Sequence, residues 1–251
     1  VTVINEEPRR GPGEQADETS GRRARRREVR TEAVLDVASR IVAREGLEGL
    51  TLGKVAGELD LVGPALYRYF ASKDALVAAL QRRAIGVVLE QLRSRAAELE
   101  PRLERLDGAV ASLARLLSVA RAYLALPERE PEAWPLLATM LGDPRRLLSD
   151  AEARQGVPLV LGLVQDVERL FTVAAREGAL SRGDAQERTL GLWAALHGAL
   201  ALDKLLLLPS VPAREGAAGR GSALGEATVT ALLRGWGAEA ALLSRARRAL
   251  D

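Results

Sequence analysis

The residues able to do chemistry gather in one short stretch, TLGKVAGELDLVGPALYRYFASK, residues 51–73. Thr51, Tyr67, Arg68, Tyr69 and Lys73 bring hydroxyls, a guanidinium and an ammonium there, with no nucleophile beside a base and no pair of carboxylates. Such a set suits holding phosphates and reading base edges rather than breaking bonds. A second cluster precedes it. Arg22, Arg23, Arg25, Arg26, Arg27 and Arg30 fall within nine residues against a single Glu28. A charge run of this kind is often only a solvated tail. Ahead of a stretch with that chemistry it reads instead as an arm drawn to phosphates or to an adjacent minor groove, with Arg26 and Arg27 as its contacts.

These side chains need elements to position them. Leu52, Val55, Ala56 and Leu59 recur at i, i+3, i+4 and i+7, the apolar face of a two-turn helix, and Thr51 stands where an N-cap would. Leu61-Val62-Gly63 breaks the period, and Pro64 suits the start of a second helix running to Phe70. That helix buries Leu66 and Phe70 and leaves Ala65, Tyr67, Arg68 and Tyr69 to face elsewhere. Two helices joined by a short glycine-containing turn form a helix-turn-helix, or else a plain packing corner. In the first reading Gly63, Pro64 and Ala65 approach the base edges, and Arg68 offers the fork suited to guanine. A helix from Arg26 to Glu45, with Val34, Leu35, Ala38, Ile41 and Val42 on one stripe and Gly46 ending it, packs behind the pair. Ser72 caps a long helix from Lys73 to Leu99 that stops at Pro101.

Thr51, the Leu66-Tyr67 and Tyr69-Phe70 pairs and the string Ser72-Lys73-Asp74-Ala75-Leu76 resemble the DNA-binding domain of TetR-family transcriptional regulators over about Glu28 to Leu80. The chain departs from many relatives in placing Val62 and Gly63, not Ser or Thr, at the recognition-helix N-cap. The resemblance implies a three-helix DNA-binding head, a fourth helix linking head to body, and Lys73 near a backbone phosphate. Trp193, His197 and Gly198 also resemble the penultimate helix of TetR-family ligand domains, which pairs with the last helix across a dimer axis. It implies a homodimer held through Trp193, His197, Gly198, Ala201, Leu232 and Trp236. Ordinary packing of a small-residue helix within one chain is the other reading.

Composition narrows the field. The 251 residues carry a net charge of only +2, with 47% hydrophobic and 28% charged residues, ordinary for a soluble domain or two. Cysteine is absent, and His197 is the one histidine, which excludes disulfides and cysteine-based zinc sites and leaves no expected metal or cofactor. No signal peptide opens the chain, and the apolar run Ala194–Leu208 is interrupted by Asp203 and Lys204, so a cytoplasmic protein with no membrane partner is expected. The glycines of residues 219–225 miss dinucleotide-loop spacing and follow no strand. His197, in LWAALHGALAL, lacks a nucleophile and an orienting acid, and reads as a buried or interfacial histidine.

Beyond Leu106 the pattern is helical throughout, over Leu106–Leu126, Pro131–Leu141, Pro144–Arg154, Pro158–Glu177, Ala185–Leu208 and Ala223–Leu250, with a loop over Pro209–Ser222. The expected fold is all-α: a disordered basic arm over 1–25, a helix-turn-helix head over 26–72 and an effector-binding, dimerising body over 73–251. Leu113, Leu117, Tyr123, Trp134, Leu137, Met140, Val167 and Phe171 could line an effector cavity, or be core. The whole implies an effector-responsive regulator, a repressor bound as a homodimer to palindromic double-stranded operator DNA and released by a small apolar effector. Two rivals stand beside it: a DNA-binding activator or architectural protein without effector, and an all-α enzyme, which lacks a catalytic set.

Overall fold

The computed structural model describes residues 12–142, 150–206 and 220–251, in which all regular structure is helical. The chain divides into two units, Val1–Val77 and Ala78–Asp251.

The first unit is built on α1, Pro12–Gly49, α2, Leu52–Glu58, and α3, Gly63–Leu66, and ends in the first turn of α4, Lys73–Leu103. Its core is the expected stripe of Val34, Leu35, Ala38, Ile41 and Val42, closed by Leu50, Val55, Ala56, Leu66, Phe70 and Leu76, all buried. Gly46 interrupts α1 with φ 73°, the left-handed residue that ends a helix and that glycine takes without strain. The start of α1 differs from expectation. Residues 1–11 of the expected arm lie outside the described residues, but from Pro12 the backbone is helical, so the arginine run is not an extended arm. Arginine, glutamate and alanine are good helix formers, and between Arg22 and Glu45 neither glycine nor proline intervenes.

In the second unit α4 continues through Pro101 to Leu103 rather than stopping before the proline; so near the end, proline removes little of the hydrogen-bond ladder. Around α5, Gly108–Leu124, pack α8, Asp150–Arg176, α9, Ala185–Leu206, α10, Arg220–Gly235, and α11, Ala240–Leu250. Two short helices, α6, Leu126–Arg129, and α7, Trp134–Gly142, follow α5. Asp107 starts α5 by accepting from the amides of Ala109 at 3.1 Å and Val110 at 3.4 Å. Helices expected apart, Pro144–Arg154 and Pro158–Glu177, are one helix from Asp150 that carries Pro158 inside it, residues 143–149 lying outside the described residues. The single helix expected over Ala223–Leu250 is two. Gly237, at φ 100°, makes the corner, and a Cβ there would stand 2.9 Å from the Ser181 amide nitrogen. Ser181 ties that corner to the α8–α9 connection, its amide donating to the Trp236 carbonyl at 2.8 Å and its hydroxyl at 2.7 Å. Of the expected loop Pro209–Ser222, residues 209–219 lie outside the described residues.

Candidate nucleic-acid interface and effector cavity

Thr51 begins the site. Its backbone is extended, and its hydroxyl oxygen accepts from the Lys54 amide at 3.2 Å, which fixes the start of α2 and leaves the hydroxyl proton free to be donated outward. Lys54 pairs with Glu45, and Arg44 with Glu58 at 2.8 Å, holding α2 against the end of α1. The corner itself corrects the sequence reading. Its left-handed residue is Asp60, at φ 53°, with the Leu61 amide donating back to the Ala56 carbonyl at 2.9 Å. Aspartate tolerates that conformation better than most side chains. Gly63 is therefore not the turn glycine but the first residue of α3, with Pro64 beside it in the opening turn.

Val62 precedes α3 with no side-chain cap and is 75% exposed. α3 is short: after Leu66 the Tyr69 and Phe70 amides donate to the Leu66 carbonyl at 2.9 and 3.1 Å, a tightened final turn. Leu66 and Phe70 are buried, and this anchor turns Tyr67 outward at 59% exposure, with Arg68 and Pro64 exposed and Ala65 and Tyr69 half-buried. Arg68 keeps its guanidinium at the surface while its carbonyl accepts from Arg27 Nη2 at 3.4 Å. Arg26 is exposed on α1. Ser72 Oγ accepts from the Ala75 amide at 3.0 Å and starts α4, placing half-buried Lys73 in its first turn. Thr51, Gly63, Pro64, Tyr67, Arg68 and Lys73 thus belong to one small unit.

The second unit holds an apolar cavity of about 50 Å³ that is partly open to solvent. Its wall comes from α4 (Val88, Gln91, Leu92), α5 and α6 (Val119, Ala122, Tyr123, Leu126), α8 (Leu163, Val164, Val167) and α9 (Thr189, Leu192, Trp193, Leu196), without a charged side chain among them. The polar members are occupied: Gln91 donates to Glu130, Thr189 to the Ala185 carbonyl at 2.8 Å, and Trp193 Nε1 to the Tyr123 hydroxyl at 3.2 Å. Burial pushes the Tyr123 phenol up to about 12, with the Trp193 hydrogen bond acting against the shift. Its hydroxyl also lies 3.2 Å from His197 Nδ1, and Trp134 packs on both rings at 6.1 and 5.8 Å between centroids.

Of the residues expected to line a cavity, Tyr123 and Val167 do so. Leu113, Leu117 and Phe171 are buried in the core instead, Trp134 stands behind Tyr123, and Leu137 is buried outside the lining. The Met140 side chain lies outside the described residues. The α4 and α9 walls were missed because their apolar positions read equally well as packing. The expected dimer residues also divide. Trp193 and His197 turn inward to Tyr123, and Trp236 meets Phe171 edge to face at 5.3 Å with the Arg188 guanidinium over its ring, because aromatic rings bury best where a polar edge finds a partner. Leu232 is half-buried against the core, while Gly198 is half-exposed and Ala201 exposed.

Comparison with known proteins agrees with this geometry. Residues 34–80 match the family described as bacterial regulatory proteins, tetR family. No curated protein matches the chain by sequence. Among solved structures, a protein of unknown function from Rhodococcus sp. RHA1 is similar at 21% identity, covering 82% of this chain and 94% of its own, with a TM-score of 0.60. AibR in complex with isovaleryl coenzyme A and operator DNA is similar at 16% identity over 81% of this chain and 98% of its own, TM-score 0.58. A bacterial regulatory protein in the tetR family from Rhodococcus RHA1 is similar at 18% identity over 83% and 97%, TM-score 0.58. Residues 34–80 thus carry the tetR-family match, and the fold of the chain as a whole is the one shared by solved TetR-family transcriptional regulators.

Proposed function

We propose that the chain is an effector-responsive transcriptional repressor of the cytoplasm, binding palindromic operator DNA as a homodimer and released by a small apolar ligand. The observation that carries the proposal is the exposed Tyr67-Arg68 pair in the turn that closes the recognition helix α3, anchored by Leu66 and Phe70. Backbone and apolar contact from Gly63, Pro64 and Ala65 bring the helix to the groove floor, Arg68 forks to the O6 and N7 of a guanine, and Thr51, Tyr67, Tyr69 and Lys73 hold phosphates around it. No step breaks or makes a covalent bond. Two protomers related by a two-fold axis present two such helices to an inverted repeat.

Effector control rests on α4. The helix that begins with Lys73 also gives Val88, Gln91 and Leu92 to the cavity wall. At about 50 Å³ the cavity is smaller than the roughly 150 Å³ that admits benzene, so a ligand enters only by pushing its walls apart. Displacing α4 biases the separation of the paired heads, and operator affinity falls by the ligand's differential affinity for the two states. The similar protein AibR, solved with both isovaleryl coenzyme A and operator DNA, supports such coupling on this fold. The small cavity also favours a second reading, constitutive DNA binding without an effector. Val119→Phe, which fills the cavity, separates the two. A panel of small apolar compounds that raises the melting temperature of the wild type and lowers its DNA affinity should lose both effects in the variant. A wild type indifferent to the whole panel sinks the effector reading.

A further inference from the structure

The arginine run is helical, and its register segregates charge. At about 100° per residue, Arg22, Arg23, Arg26, Arg27 and Arg30 fall within an arc of about 140°, whereas Glu28 and Glu32 lie on the opposite side of α1. Arg25 lies about 60° outside this arc and shares a surface groove with Arg22, Arg26 and Arg30. Residues 21–30 are all exposed, so these guanidiniums meet solvent over about 12 Å of helix from Arg22 to Arg30. Arg27 joins this face to the DNA-reading element, because its Nη2 donates to the carbonyl of Arg68. All six arginines precede the family-matched segment, which begins at residue 34.

Resting on the DNA-binding reading above, we propose that the α1 face of Arg22, Arg23, Arg26 and Arg30 is a helical clamp on the phosphates of duplex DNA flanking the site read by α3, with Arg27 as its positioning residue. An α-helix with its side chains is about 10–12 Å across and the minor groove about 6 Å wide, so this element cannot enter that groove as an extended arm would. It lies along the backbone, where a strand offers one charge every 3.4 Å of helix axis, and its contacts carry no sequence information. The clamp raises affinity for operator and random duplex alike, makes both strongly salt-dependent, and lengthens the DNA protected by each protomer.

The test uses the full chain and a 40-base-pair duplex of random sequence, with affinity measured by fluorescence anisotropy between about 50 and 200 mM salt. Four proteins are compared: wild type, R22Q/R23Q/R26Q/R30Q, R22K/R23K/R26K/R30K and Lys73→Ala. The quadruple glutamine variant should keep the wild-type melting curve and lower the slope of log affinity against log salt by about 2 to 4 per protomer, at roughly 0.9 per phosphate contact. The quadruple lysine variant should restore most of that slope, since charge rather than a fork is needed. Saturating the duplex with distamycin, a minor-groove ligand, should leave the arginine-dependent part of binding intact. An unchanged slope in the glutamine variant, while Lys73→Ala still lowers it, overturns the clamp and leaves the DNA-binding reading standing. Loss of the arginine-dependent part under distamycin overturns it in favour of a minor-groove arm. A wild type that binds no duplex at all removes the reading beneath both.

Discussion

Gly198 offers a separation of fold from assembly. A Cβ built on it meets nothing within 4 Å in its own chain, and on α9 it lies along one side with exposed Leu190, Ala194, Ala201 and Leu202. Gly198→Leu therefore leaves the protomer unstrained, and in isolation stabilises α9 by up to about 1 kcal/mol, the helix-propensity difference. Against a partner helix packed on that side the same leucine overpacks, at about 1–3 kcal/mol per copy. A two-fold dimer contains the change twice, so association loses about 2–6 kcal/mol and the dissociation constant rises from about 30-fold to about 20,000-fold. Gly225 is the contrast: its Cβ would strike the Leu124 side chain inside the protomer, so Gly225→Leu lowers the melting temperature directly. Sedimentation velocity from nanomolar to micromolar concentration, alongside thermal melts, reads both. A Gly198→Leu protein that remains as dimeric as the wild type, or a wild type monomeric at micromolar concentration while still binding DNA, refutes the assignment of this side of α9 to the interface.

Other consequences are local. Thr51 caps α2 and, in the proposed complex, faces phosphate, and substitutions split the roles: Thr51→Ala should lose about 1 kcal/mol of stability and also DNA affinity, whereas Thr51→Asp should keep the cap and lose only affinity. Equal melting curves for Thr51→Ala and wild type would remove the cap. Tyr123 titrates higher folded than unfolded, so the native state holds its proton longer. Stability is complete below about pH 10 and falls between about pH 10 and 12, by about 2–3 kcal/mol across that window. Tyr123→Phe should flatten that part of the stability–pH curve, and an unchanged curve would show that the phenol is not buried.

The head was legible because its constraints are local. Thr51, the apolar spacing from Leu52 to Leu59, and Leu66 with Phe70 each act within a turn or two, and each stands where the spacing puts it. The break expected at Leu61-Val62-Gly63 falls at residues 59–62, earlier at its start, because the left-handed residue is Asp60, which signals such a turn less strongly than glycine does. The body was legible as helices but not as a site. Leu113, Phe171, Leu192 and Leu196 carry the same apolar signal and share one buried core, and only three-dimensional packing brings Leu192 and Leu196 to the cavity wall as well. The contacts of Trp193 and His197 were hidden for a similar reason: Tyr123, 70 or more residues earlier, supplies their hydrogen-bond partner, and no spacing along α9 points to it.

The most direct test is a selection of bound duplexes from a random DNA pool, run in parallel with wild type and Arg68→Ala. The wild type should enrich an inverted repeat with at least one invariant guanine in each half-site. Arg68→Ala should lose about 1–3 kcal/mol of discrimination at that guanine alone and keep the rest of the repeat. Enrichment of no repeat by the wild type, or identical preferences in the two proteins with uniformly weaker binding by the variant, would contradict base reading by this helix.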